Sequence, residues 1–138
     1  MNYVMHKQGM IFLANMIAGD PRRINGMYVE YGEAAVPGKR DQEYYRLLGV
    51  GAENGYIRVP ITHGYVDETG TVHFDALVTR SDVPDNNVRG VARCVTLAYL
   101  DDTTQANDIL ICTMALTSQV ELRTDAMTTI HTSLRLGV

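Results

Sequence analysis

Ile57-Arg58-Val59-Pro60-Ile61 and, beyond the turn Asp67-Glu68-Thr69-Gly70, Val72-His73-Phe74-Asp75-Ala76-Leu77-Val78 form the stretch that decides the fold class. Ile57, Val59 and Ile61 alternate with polar or turn residues, and Val72, Phe74, Ala76 and Val78 do the same. A period of two marks strands with one covered face, and the acidic, glycine-ended turn joins them as an antiparallel hairpin. Pro60 lacks a backbone donor, so the first strand is expected at a sheet edge or bulged at that point.

Downstream, residues 81–87 read as a turn built on local side-chain to backbone bonds. Residues 88–100 and 109–116 are long β-branched-rich runs joined by the polar loop 101–108, and are expected as central strands, apolar on both faces. The last run sets Ile130, Thr132, Leu134 and Leu136 on a covered face and Thr129, His131, Ser133 and Arg135 on a wet one. Upstream, Met27, Val29 and Tyr31 alternate in a strand that is expected to be half buried and to end at Gly32. Between them lie a charged loop over 33–40, about two helical turns over 41–48 and a glycine-rich stretch over 49–55.

At the N-terminus the period changes. From Val4 to Ala18 apolar residues recur at gaps of three, four and seven, which predicts a helix over about residues 3–19, stopped by Gly19-Asp20-Pro21. The apolar run 10–19 is shorter than the roughly 20 residues that cross a bilayer. A secretory signal ending near Met16-Ile17-Ala18-Gly19 fits less well than a buried helix, because the upstream segment carries almost no charge. The expectation is one domain over residues 1–138. It is mainly β, an antiparallel β-sandwich or curled sheet of roughly six to eight strands with one N-terminal helix.

Composition narrows the function classes. Hydrophobic residues make up 46% and charged residues 20%, as in globular domains. With a formal charge of −4 there is no bulk positive field for a phosphate backbone, so nucleic acid is not expected as a partner, and with an apolar run as short as 10–19 neither is a membrane. Cys94 and Cys112 fall in apolar strand-like runs, without a CxxC motif, and read as small core hydrophobes in a reduced cytoplasm.

Chemistry-bearing patterns are sparse. The glycines at 49, 51 and 55 are misspaced for a dinucleotide fingerprint. No G-x-S-x-G nucleophile elbow occurs, and the acidic pairs at 67–68, 82 and 85, and 101–102 sit in turns, where Asp caps its own backbone. His63 and His73 flank the hairpin; a metal would need a third ligand, for which Asp75 is the nearby candidate. No catalytic, cofactor-binding or metal residue is assigned, and solvated strand histidines are the simpler reading.

Surface-fitting residues stand out more. There are 8 Tyr against 2 Phe and no Trp, a usage that suits interfaces and ordinary β-sheet equally. The helix is apolar nearly all round between Met10 and Ala18, more than one sheet face covers. The basic doublets Arg22-Arg23 and Lys39-Arg40 suit an acidic partner surface better than nucleic acid, with solvated loop charges as the plain alternative. Candidate interface residues are Met10, Phe12, Leu13, Met16, Ile17, Arg22, Arg23, Tyr28, Tyr31, Tyr44 and Tyr45.

The order of elements is similar to that of small virion proteins of tailed bacteriophages, a group with tail-fibre N-terminal modules and capsid-decorating proteins. The residues that carry it are the helix ending Phe12-Leu13-Ala14-Asn15-Met16-Ile17-Ala18-Gly19, the strand Met27-Tyr28-Val29-Glu30-Tyr31-Gly32, and the charged segment Asp41-Gln42-Glu43-Tyr44-Tyr45-Arg46. Gly70-Thr71-Val72-His73-Phe74-Asp75-Ala76, Asn86-Asn87-Val88-Arg89-Gly90-Val91-Ala92 and the closing alternating strand complete it. The lack of Trp and the end of the chain at Val138 turn the expectation away from a receptor-binding fibre. The resemblance implies a non-enzymatic capsid decoration (cement) protein. It would be made in the host cytoplasm, reside in the virion and bridge subunits of the major capsid protein, as a homo-oligomer with a trimer favoured. A tail or baseplate connector or fibre-attachment module is the alternative, and a small metal- or ligand-binding enzyme domain using His63, His73 and Asp75 is the rival from another class.

Overall fold

The computed structural model describes residues 3–31, 56–78, 90–122 and 127–135. They form β1 (Tyr3–Met5), α1 (Lys7–Ile17), β2 (Gly26–Tyr31), β3 (Tyr56–Val66), β4 (Thr71–Val78), β5 (Gly90–Tyr99), a 3-10 turn (Gln105–Asn107), β6 (Ile109–Leu122) and β7 (Thr128–Arg135). The strands build one seven-stranded sheet in the order β1-β6-β5-β2-β3-β4-β7, with every neighbouring pair antiparallel. β6 also touches β7, so the sheet curls into a half-barrel. The mainly β, antiparallel curled sheet with one N-terminal helix is therefore the fold. The loop over 33–40, the helical turns over 41–48, the glycine stretch 49–55 and the turn 81–87 lie outside the described residues.

The concave face holds the main core. Met27 and Val29 of β2, Ile57 and Val59 of β3, Phe74, Ala76 and Val78 of β4, Val95 and Leu97 of β5, Ile111 and Met114 of β6, and Ile130 and Leu134 of β7 are all buried there, with Phe12 of α1 laid over them. The hairpin read from 57–78 is present as β3–β4, and 88–100 and 109–116 supply the paired strands β5 and β6.

Three expectations change. The helix is shorter than 3–19, because Tyr3–Met5 is an edge strand on β6; the His6 amide donates to the Ile111 carbonyl at 2.9 Å, and helical bonding starts only after it. At the other end Gly19 takes a left-handed conformation (φ 113°) and the Asp20 amide donates to the Asn15 carbonyl, so the helix stops where the sequence places its stop. β3 is not an edge strand of the whole sheet, since it lies between β2 and β4, but it is open on one side at Pro60 as the missing donor requires: Pro60 pairs with Gly26 of β2, pairing with β4 begins only at Ile61, and the bulge falls not at Pro60 but between Ile61 and His63.

The third change is that β2 is covered on both faces. Flanked by β3 and β5, it buries Tyr28 on the convex side, stacked on Tyr56 with centroids 5.3 Å apart, beside Ala98, Leu100 and Leu110. The 101–108 loop closes over this second core. Asp108, only 2% exposed at its side chain, accepts from the Tyr28 hydroxyl (2.6 Å), from Arg58 Nε and Nη2 (2.6 and 2.8 Å) and from the Asp101 amide (2.7 Å). Burial, reinforced by the carboxylate, pushes the Tyr28 phenol above its ordinary range.

Candidate functional site

The bulge in β3 creates the polar outer face of the β3–β4–β7 half. Ile57, Val59 and Ile61 all face or pack on the core, but Ile61 pairs with Ala76 and His63 with Asp75, two residues on one strand against one on the other. The extra residue, Thr62, reverses the alternation, so His63 and Tyr65 point outward with His73 and Asp75. β7 adds His131 opposite Asp75 and Ser133 opposite His73.

Three of these outward groups, with Asp67 of the β3–β4 turn, form a chain of hydrogen bonds. Asp67 Oδ2 lies 2.7 Å from His73 Nε2, His73 Nδ1 lies 3.2 Å from His131 Nε2, and His131 Nδ1 lies 2.6 Å from Asp75 Oδ1. The Tyr65 ring stacks on His73 at 4.7 Å and fixes its plane. Asp67 also caps the turn: its Oδ1 accepts from the Thr69 amide and hydroxyl and the Thr71 amide. The Thr69 hydroxyl first, then His73, hold the Asp67 carboxyl well below the usual carboxylate range.

Proton placement follows from the acceptors. A carboxylate only accepts, so Asp67 keeps a proton on His73 Nε2 and an ionised Asp75 keeps one on His131 Nδ1. The two remaining nitrogens face each other and are bridged when they share one proton.

The set His63, His73 and Asp75 is not assembled. Tyr65 packs against both histidines, 5.5 Å from the His63 ring and 4.7 Å from that of His73, while Asp75 turns to His131. Among the described residues no group of three His, Cys, Asp or Glu side chains converges as a metal set. His131 was legible only as a wet-face residue, because its role depends on β7 pairing with β4.

The candidate interface residues separate. On α1, Phe12 is buried and stacked on Tyr99, and Leu13 and Met16 pack against the core. Met10 (61% exposed) and Ile17 (89%) face solvent, joined by Ile11 (49%), which is not among the candidates drawn from the sequence. Arg22 forms a bidentate pair with Asp20 and lies over the Phe12 and Tyr99 rings, while Arg23 is exposed. Tyr28 is a core residue on the convex side, unavailable to a partner. Tyr44, Tyr45 and the side chain of Tyr31 lie outside the described residues.

Cys94 and Cys112 are both buried, and burial pushes the Cys112 thiol up to about 12, which removes it as a nucleophile in the folded state. No helix among the described residues is long and apolar enough to cross a membrane. No family model matches this chain, and neither a curated protein nor a solved structure does so.

Proposed function

We propose that this chain is a non-enzymatic docking protein of a virion, a capsid decoration protein that presents α1 to the shell. The supporting observation is the outer face of the helix. Met10, Ala14, Ile17 and Ala18 recur at helical spacing with Ile11 beside them, all exposed, and Lys7 is the one charged side chain on α1. Single exposed apolar residues are ordinary, whereas a contiguous stripe on a rigid element is what a partner covers. Gly9 and Phe12 anchor the opposite side, so the stripe is presented without freedom to turn inward. The shell as partner comes from the resemblance to virion proteins of tailed phages.

Stabilisation would follow mass action: a protein that binds only the assembled shell contributes about 2.7 kcal/mol per site at a hundredfold excess over Kd. The test is cosedimentation of purified protein with expanded shells, and the disruption temperature of those shells. Ile17→Asp should leave the fold intact, since the position is 89% exposed. It should weaken shell binding about tenfold to a hundredfold, the worth of one buried aliphatic side chain. Binding to tails in place of shells would assign the connector role, and shell binding unaffected by Ile17→Asp would remove α1 from the interface.

A further inference from the structure

The paired imidazoles of β4 and β7 have the layout of a metal site whose outer supports are already in place. We infer that His73 Nδ1 and His131 Nε2 form a two-histidine site for a divalent ion of borderline softness, such as Zn2+, in which water takes the place of the third protein ligand sought in the sequence and the two carboxylates act from behind the imidazoles. This site lies on the outer face of the sheet and is independent of the docking reading of α1.

Three observations carry it. First, each histidine has its far nitrogen on a carboxylate, His73 Nε2 on Asp67 at 2.7 Å and His131 Nδ1 on Asp75 at 2.6 Å. That arrangement sets the tautomer so that the near nitrogens present lone pairs, and it is the carboxylate–histidine pairing that supports metal-bound imidazoles. Second, the near nitrogens are 3.2 Å apart. Two nitrogens each about 2.0–2.1 Å from one tetrahedral ion span about 3.3 Å, so the ion is held with a small tilt of the rings. Third, charge and access suit a dication. The two carboxylates bring two negative charges, and the His131 side chain is 49% exposed, leaving room for water ligands. Tyr65, stacked on His73, holds that ring in place without occupying the near nitrogen.

Isothermal titration of the untagged chain with ZnCl2 in a non-coordinating buffer tests this, with 15N spectra of the imidazole nitrogens. One Zn2+ per chain is expected, shifting the signals of His73 Nδ1 and His131 Nε2. His131→Ala should weaken binding at least tenfold, Asp75→Asn about 10–100-fold as the loss of an outer support does, and His63→Ala should leave it unchanged. Unmoved His73 and His131 signals under excess Zn2+, meaning a shared proton only, would overturn the inference. So would Zn2+ binding that survives His131→Ala unaltered or vanishes with His63→Ala. The spectra are recorded on the native chain, so their outcome does not depend on any variant folding.

Discussion

Replacing Asp108 by alanine should be among the most damaging single changes to the described fold, and its cost can be worked from the contacts. The carboxylate accepts four hydrogen bonds under the 101–108 loop, two of them from Arg58. Removing one partner of a buried ion pair costs about 3–5 kcal/mol. The Arg58 side chain is 29% exposed and keeps its bond to the Asp101 carbonyl at 2.9 Å, so water and that carbonyl relieve part of the loss and the lower end, about 3 kcal/mol, applies. Weakening the hold on the Tyr28 hydroxyl adds about 1 kcal/mol. A total of about 4 kcal/mol corresponds, at roughly 4 °C per kcal/mol for a chain of this size, to a Tm lowered by about 16 °C. Urea denaturation followed by circular dichroism gives the first figure and calorimetry the second, while hydrogen exchange should show the Asp101 amide losing protection. A double-mutant cycle with Arg58→Met should return a coupling of at least about 1.5 kcal/mol. A destabilisation under about 1 kcal/mol, or additive single variants, would refute the view that this carboxylate pins the loop to the sheet.

Other outcomes follow from the same contacts. Gly9→Ala should destabilise by about 1–3 kcal/mol in urea titration, because a Cβ there would meet the Ile111 backbone and push α1 off β6. Thr132→Val should raise stability by about 1 kcal/mol by the same measurement: the residue is 4% exposed and its hydroxyl has no hydrogen-bond partner among the described residues. Asp67 has a folded-state carboxyl held below its unfolded value, so its contribution is fully present above about 3.8 and is lost as the pH falls below that value. Asp67→Asn should therefore flatten the acid limb of the Tm-against-pH curve. The thiols of Cys94 and Cys112 should react with a water-soluble disulfide reagent only at the rate of unfolding, and fast labelling of the native chain would contradict their burial.

Much of the fold is local in origin and was therefore legible. The alternation at 57–61 and 72–78 predicts the hairpin because strand periodicity and turn chemistry act within a few residues of one another. Gly19-Asp20-Pro21 ends α1 for the same reason. The outer stripe of α1 was visible as too much apolar surface for one face, although which side chains face out was not: Met10 and Ile17 do, Leu13 and Met16 do not.

Sequence alone determined that this chain makes an antiparallel, mainly β domain with one N-terminal helix, since composition, period and turns all speak through short-range physics. Tertiary structure alone decided that Tyr3–Met5 pairs with β6, that Tyr28 is covered by a loop 80 residues away at Asp108, and that His73 meets His131. Pairing partners depend on closing long loops, which no local pattern encodes. One inserted residue, Thr62, then sends His63 and Tyr65 outward where uninterrupted alternation would bury them, because a register step of one exchanges the two faces of a strand.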